Sequence, residues 1–259
     1  MRHSFLTKRA SSETHRTNNV SLLSVALHFY FDNKTIFPAK FGERWLLLIA
    51  HPDDETMFFG PTLLFLSSIG VQLHLLCITS GNSEGLGLIR RNELYSSASV
   101  YGIQPKHISF VDPDERRFPD GFHDWNITSL SALIYSYIRR LKPDGLITFD
   151  EWGISGHPNH KDSFKAILNL NTEGKLKELG IKTALALKSV AVLRKYIGAV
   201  DLFLNAFGMS DGNKFVTYSA NPLRIYWAML KHRSQLLWFR YLYMAMSRYI
   251  YVNNFVVII

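Results

Sequence analysis

The stretch WLLLIAHPDDE occupies residues 45–55 and joins an unbroken apolar run to a compact group of polar side chains. Six apolar residues in a row predict a strand that is buried on both faces, as in a parallel sheet covered by helices. Polar residues directly after such a strand lie at the carboxyl edge of the sheet, where open α/β folds bind their ligands. The stretch therefore predicts a fold class and the place of a site within it.

Three further apolar runs continue this pattern along the chain. Strands are predicted at 45–50, 72–79, 107–111 and 145–149, and helices at 56–68, 88–101, 127–141 and 161–170. Strands that alternate with helices are typical of a parallel sheet whose strands are joined by crossover helices. We therefore predict an α/β fold, a three-layer Rossmann-like sandwich with a mostly parallel sheet and helices on both faces.

The ends of the chain differ from its centre. We predict a domain at 44–259, preceded by a variable segment at 1–43. That segment contains VSLLSVALHFYF at 20–31, which is shorter than the roughly 20 apolar residues of a membrane-spanning helix. It is interpreted as an interfacial segment, a signal-like region or a packed helix, so membrane association of this segment is a hypothesis. The aromatic and basic stretch at 223–250 predicts a helical tail, which either lies in a membrane interface or packs on the sheet.

The composition limits the partners and the compartment. A net charge of +8 favours an anionic partner, such as phospholipid headgroups, a phosphorylated ligand or nucleic acid. Nucleic acid is not expected, because the chain contains no recognised nucleic-acid-binding motif. The single cysteine, Cys77, excludes an intrachain disulfide and is predicted to be a buried thiol in a reducing compartment. The sequons at Asn19, Asn33 and Asn126 are interpreted as chance matches.

Two groups of polar residues follow the first and fourth predicted strands. They comprise His51, Asp53, Asp54 and Glu55 after the first strand, and Asp150, His157 and His160 after the fourth. If these two strands are neighbours, as in the common doubly wound order, the groups face each other across one crevice. Single residues of this kind are often only helix caps or first-turn carboxylates. Their joint occurrence at matching strand ends favours a metal site.

The residue types suit catalytic zinc. Such an ion takes three protein ligands and keeps a fourth position for water, whose pKa falls to about 7. His51 and Asp54 are three residues apart, so one tight turn can direct both at an ion, and His160 can supply the third ligand. Asp53 is then free to act as a general base, and His157 to stabilise an oxyanion or protonate a leaving amine. The same ligands could hold Fe²⁺ or Mn²⁺ instead of Zn²⁺.

Two motifs together resemble a known family. AHPDDE at 50–55, followed by TFDEWGISGHPNH at 148–160, resembles the PIG-L family of zinc deacetylases over about residues 44–250. LKSVAVLRKY at 187–196 and HRSQLLWFR at 232–240 resemble the eukaryotic branch of the family in particular.

The resemblance implies roles for individual residues. It implies zinc ligation by His51, Asp54 and His160, activation of water by Asp53, and assistance to a tetrahedral intermediate by His157. It also implies that Arg90, in the helix after the second strand, binds substrate, although this arginine could instead belong to a solvated helix face. Asp150 is expected to orient His157 or His160 through a hydrogen bond from its carboxylate.

The resemblance further implies a reaction and a place for it. The eukaryotic branch removes the acetyl group from N-acetylglucosaminyl-phosphatidylinositol, the second step of GPI-anchor biosynthesis, at the cytosolic face of the endoplasmic reticulum membrane. The expected partners are this glycolipid and the membrane surface, and the sequence identifies no protein partner. Two alternatives are a soluble zinc deacetylase of a non-lipid N-acetylglucosaminyl conjugate and a catalytically impaired form that serves as an interaction subunit. The presence of all five catalytic-type residues argues against the impaired form.

Overall fold

A sheet of seven strands forms the centre of the described chain, which comprises residues 36–38, 42–206, 215–219 and 221–259 of the computed structural model. The strands are β1 Arg44–Ile49, β2 Gln72–Thr79, β3 Ile108–Asp112, β4 Gly145–Phe149, β5 Thr183–Leu187, β6 Phe215–Tyr218 and β7 Val252–Val257. The predicted apolar segment at 20–31 and the sequons at Asn19 and Asn33 lie outside the described residues.

The strand order is β3-β2-β1-β4-β5-β7-β6. The first five strands are parallel to one another, whereas β7 runs antiparallel to both β5 and β6. The prediction of a mostly parallel sheet is confirmed, and β1 and β4 are neighbours, as a shared crevice requires. The sequence analysis predicts the first four strands and does not predict β5, β6 or β7. Cys77 is buried within β2, as expected.

Helices connect the strands and cover both faces of the sheet. They are α1 Asp54–Ser68, α2 Gly87–Val100, α3 Ile127–Leu141, α4 Gly153–Gly156, α5 Pro158–Thr172, α6 Lys175–Glu178, α7 Val192–Lys195, α8 Val200–Ala206, α9 Pro222–Met229 and α10 Trp238–Met246. Helix α5 begins three residues before its predicted start. It does so because the His157 side chain caps it and Pro158 occupies its first position.

Alternate side chains of β1 enter two separate cores. Leu47 and Ile49 pack with residues of α1, α2 and α9, whereas Leu46 and Leu48 pack with residues of α3 and α5. A strand that is covered on both faces is apolar at every position, which explains the unbroken run in the sequence. At the start of the strand, the Trp45 indole occupies the space beside Gly145, where a Cβ would lie 2.5 Å from the ring.

The C-terminal tail differs from the single helical stretch that was predicted. It divides into α9 and α10, which a 3-10 turn at Arg233–Gln235 separates, and β7 then returns to the sheet. Among the described residues, no helix is both long and apolar enough to cross a membrane. Ile36 forms a bridge with Val216, and Phe37 packs on the Trp45 ring, so part of the predicted segment 1–43 lies against the sheet.

Candidate active site

The polar groups after β1 and β4 meet at the carboxyl edge of the sheet. His51 lies in the turn between β1 and α1, and His160 lies in the first turn of α5. Because β1 and β4 are adjacent and parallel, the turns that follow them are side by side. A cavity of about 590 Å³ opens at this point, and six predicted site residues line it: His51, Asp53, Asp54, Arg90, His157 and His160.

Three of these residues form a candidate metal site. His160 Nε2 lies 3.2 Å from Asp54 Oδ1, and His51 Nδ1 lies 3.6 Å from Asp54 Oδ2. One possible ligand atom from each residue lies within 4.8 Å of the other two, and all three side chains are buried. Two imidazole nitrogens and one carboxylate oxygen are donors that suit Zn²⁺ and also accept Fe²⁺ or Mn²⁺. The residues therefore fit a divalent metal ion.

Hydrogen bonds fix the orientation of the ligand atoms. Asp54 Oδ2 accepts the backbone N–H groups of Ala50 and His51, at 3.1 and 2.8 Å. His160 Nδ1 lies 3.0 Å from the carbonyl oxygen of Gly153, so this nitrogen carries the proton and Nε2 is left as the ligand. Burial alone would raise the pKa of Asp54, but the neighbouring charges of His160 and His51 hold it well below its usual value.

A carboxylate outside both sequence motifs supports His51. Asp120, in the loop between β3 and α3, places Oδ1 3.0 Å from His51 Nε2, and Asn159 Oδ1 lies at the same distance. The Asn159 amide is oriented by a hydrogen bond that its Nδ2 donates to the carbonyl of His123. Burial lowers the pKa of His51, but Asp120 and Asp54 outweigh it and raise this pKa to about 10. No sequence motif indicates Asp120, since the loop places it here only after folding.

Asp53 adopts a backbone conformation that residues other than glycine rarely take, with φ at 120°. Its N–H donates to Glu55 Oε2 at 3.1 Å, and its carbonyl accepts the N–H of Met57 at 2.9 Å, so the turn is held in place. Its carboxylate lies 3.2 Å from Arg240 Nη2 and 3.8 Å from Arg90 Nη2. The strained turn thus presents a buried carboxylate, paired with two cations, beside the metal ligands.

Arg90 is 8% exposed, so the alternative that it belongs to a solvated helix face is wrong. Its guanidinium donates to the carbonyl oxygens of Pro52 and Gly81, at 2.8 and 3.2 Å, and lies 3.3 Å from Asp120 Oδ2. These bonds tie the turn after β1 to the turn after β2. The side chain also lines the cavity, and its role in substrate binding stays a prediction.

His157 caps α5 and faces the other histidines. Its ring centroid lies 4.9 Å from that of His51 and 5.0 Å from that of His160. Burial and these two histidines lower the pKa of His157 to about 4. Its Nδ1 accepts the backbone N–H of Asn159 at 3.3 Å, so the neutral ring carries its proton on Nε2. That N–H is a hydrogen-bond donor next to the metal ligands.

Asp150 does not make the predicted bond to a histidine. Its oxygens instead accept the backbone N–H groups of Trp152, Gly153 and Ser189, and the Ser189 hydroxyl at 2.6 Å. These bonds fix the loop whose Gly153 carbonyl contacts His160 Nδ1. The predicted bond to a histidine is wrong because an aspartate at a tight turn has backbone N–H groups as its nearest donors.

The C-terminal tail forms one wall of the cavity. Phe239, Arg240 and Tyr243 of α10 line it, together with Lys195 and Tyr196 at the end of α7. The ring centroids of Tyr196 and Tyr243 lie 6.3 Å apart, and both residues line the cavity, so α7 and α10 meet at its wall. The tail therefore contributes to the site and is not only a packed or membrane-bound appendage.

A second link joins the tail to the first motif. His232 Nε2 lies 2.6 Å from Glu55 Oε1, and both side chains are fully buried. Glu55 also accepts the hydroxyls of Ser97 and Thr56, at 2.7 and 3.0 Å. The Glu55 carboxylate is thus a structural partner of the tail, and the histidine that it contacts is 177 residues away in sequence.

Comparison with known proteins identifies the class to which this fold and site belong. A family model described as PIG-L, GlcNAc-PI de-N-acetylase, matches residues 46–171. The chain is 41% identical over 214 residues to an N-acetylglucosaminyl-phosphatidylinositol de-N-acetylase of Bos taurus, which covers 82% of this chain and 83% of the relative. The chain therefore belongs to the PIG-L family.

Two further comparisons extend this result. A Saccharomyces cerevisiae protein with the same name is 28% identical and covers 93% of each chain. The structure of N,N'-diacetylchitobiose deacetylase from Pyrococcus horikoshii is similar with a TM-score of 0.61. It is 18% identical and covers 91% of this chain and 90% of its own, so the similarity shows a shared fold.

Proposed function

We propose that this protein is a metal-dependent deacetylase of N-acetylglucosaminyl-phosphatidylinositol. Water cleaves the amide bond, which gives acetate and glucosaminyl-phosphatidylinositol, in the second step of GPI-anchor biosynthesis. One observation carries the proposal: the ligand set His51, Asp54 and His160 lies with Asp53 and His157 in one cavity. The PIG-L family, to which the chain belongs, includes relatives named for this reaction.

The metal would be held by His51 Nδ1, the Asp54 carboxylate and His160 Nε2. When bound, it would polarise the acetyl carbonyl and make water more acidic. Zn²⁺ is the metal we propose, because two imidazoles and a carboxylate with an open position are typical of catalytic zinc, with Fe²⁺ and Mn²⁺ as alternatives.

Asp53 and His157 supply the proton chemistry. Asp53, whose carboxylate forms ion pairs with Arg240 and Arg90, accepts a proton from the attacking water. A C–O bond then forms at the acetyl carbon, and His157 donates a hydrogen bond from Nε2–H to the oxygen that becomes negative. As the C–N bond breaks, the proton passes from Asp53 to the amine, and acetate leaves. Arg90 lines the cavity and is proposed to bind the sugar-inositol part of the substrate.

We also propose that the reaction takes place at the cytosolic face of the endoplasmic reticulum membrane. The support is the relationship to enzymes named for a membrane glycolipid, together with the net charge of +8. Protease treatment of intact microsomes should digest the chain while a lumenal marker survives. Protection of the chain along with the lumenal marker would contradict this location.

Acetate release from the purified full-length chain tests the activity directly. The substrates are N-acetylglucosaminyl-phosphatidylinositol in detergent and an acyl-free N-acetylglucosaminyl-inositol. We expect release from the glycolipid that a chelator abolishes and that added zinc, iron or manganese restores, with His160→Ala protein as the blank for contaminating hydrolases. No release from folded, metal-loaded protein would refute the proposed function, and release only from the acyl-free compound would favour the soluble-substrate alternative.

A further inference from the structure

Helix α10 presents an apolar face to the outside of the molecule. Trp238 is 75% exposed, and Tyr241, Leu242 and Met246 are each about half exposed. These positions follow the helical repeat, so they form one continuous stripe. A helix at a water-exposed surface normally turns such a stripe inward. This face therefore suits an apolar neighbour.

A second group of exposed apolar side chains lies on α7. In α7, Val192 is 70% and Leu193 is 82% exposed. The Tyr196–Tyr243 contact joins the two elements, and both contribute residues to the cavity wall. We call the exposed side chains of Val192, Leu193, Trp238, Tyr241, Leu242 and Met246 the apolar rim. Exposed apolar patches of this kind mark sites of protein or membrane interaction.

The charged residues of the same two elements turn inward. Arg240, the only charged residue of α10, extends to Asp53 at 3.2 Å. Lys195 is 8% exposed and donates to the carbonyl of Ile154. The usual arrangement, with charges outside and apolar groups inside, is reversed in these two helices.

The charge of the chain is concentrated in the part that carries the apolar rim. Residues 179–259 contain ten lysines and arginines and only two acidic residues, so this third of the sequence accounts for the whole net charge of +8. One of the two, Asp201, is fully buried and paired with Arg248. Lys195, Arg240 and Arg248 of this part turn inward, whereas Arg224 and Arg233 are exposed. Exposed arginines together with exposed aromatic and aliphatic side chains complement an anionic phospholipid surface.

We propose that the apolar rim inserts into the headgroup region of a bilayer containing anionic phospholipid, so that the cavity opens onto the membrane. The inference rests on the proposed function, since a phosphatidylinositol substrate keeps its acyl chains in the bilayer. The glycan of the substrate then reaches the metal ligands without leaving the membrane surface. Tyr196 and Phe239, which line the cavity and are also exposed, connect the rim to its interior.

Vesicle binding by the full-length chain tests the proposal. Phosphatidylcholine vesicles with phosphatidylinositol are sedimented with wild-type protein and with a Leu193→Ser/Leu242→Ser double variant. Both leucines lie outside the cavity lining, so the variant changes the rim alone. We expect at least about tenfold weaker binding by the variant, because two leucine side chains no longer enter the bilayer. The matched control is Leu168→Ser on α5, where another exposed leucine lies on the opposite face of the sheet, and it should bind as wild type does.

Equal binding by the double variant, or no binding by the wild type, would overturn the proposal. A third result would also overturn it: the wild type is a dimer, the double variant is a monomer, and both bind vesicles equally. The apolar rim would then contact a second copy of the chain. Activity measurements distinguish failure of the membrane-insertion proposal from failure of the proposed function. The double variant should lose turnover of the glycolipid in vesicles and keep turnover of the acyl-free compound, whereas wild-type protein that cleaves neither compound would refute the function itself.

Discussion

Replacement of His232 by alanine should destabilise the fold by about 3–5 kcal/mol, the usual cost of removing one partner from a buried ion pair. The His232 and Glu55 side chains are both fully buried and 2.6 Å apart, so the variant leaves a carboxylate in the core. Within the described part of the chain, the hydroxyls of Ser97 and Thr56 and the backbone N–H of Asp53 remain as donors to it. Native domains are stable by about 5–15 kcal/mol, so the loss is a large fraction of the total.

The assay is urea unfolding of chelator-treated protein, so that metal binding does not enter the free energy. A Glu55→Gln/His232→Ala double variant is the control, and it should be less destabilised than the sum of the single variants, because no charge is left buried. A loss below about 1 kcal/mol for His232→Ala would refute the reasoning, since such a value is typical of an exposed pair.

The pH dependence of this difference has a defined sign. Burial lowers the pKa of His232, but the charge and hydrogen bond of Glu55 outweigh it and raise this pKa above 6.5. Because the pKa of His232 is higher in the folded protein, its protonated form stabilises the fold, and this contribution is largest below the unfolded-state pKa of 6.5. The contribution is lost as the pH rises through the folded-state pKa. The advantage of wild type over His232→Ala should therefore shrink with increasing pH, and growth of this advantage would contradict the assignment.

Three further variants test the site. Asp53→Asn should keep its metal and lose about 10²–10⁴-fold in acetate release, and equal activity would remove Asp53 from the mechanism. His160→Ala should lose bound metal, measured by atomic emission, and retained metal would show that the ligand assignment is wrong. Asp120→Asn should weaken metal affinity about 10–100-fold in a chelator competition, because His51 loses the charged partner of its Nε2. Unchanged affinity would mean that Asn159 alone orients the ring.

The parallel half of the sheet follows from the sequence because each strand there is covered on both faces and is therefore apolar throughout. The antiparallel edge is different. β7 follows two helices and pairs with β5 and β6, which lie far away in sequence, so no local pattern specifies the pairing. Asn253 and Asn254 also interrupt its apolar pattern. They are buried because their side chains bond to Thr62 and Arg248.

The candidate metal ligands could be predicted because they lie in the turns and helix starts that follow two strands whose adjacency the fold class implies. The residues that support these ligands could not be predicted. Asp120 reaches His51 from a loop of irregular structure, and Asp150 bonds to its own turn instead of a histidine. Local sequence determines which side chains stand at a strand end, whereas their hydrogen-bond partners depend on loops that only the tertiary structure positions.

Arg240 connects the two proposals made for this protein. Its Nη2 lies 3.2 Å from the carboxylate of Asp53, the proposed general base. The same inward orientation removes the only charge of α10 from the outer surface, where Trp238 and Leu242 remain exposed. A helix that supplies a cation to the cavity therefore presents an uncharged face outside. The chemistry of the site and the apolar character of its opening thus have a common structural origin.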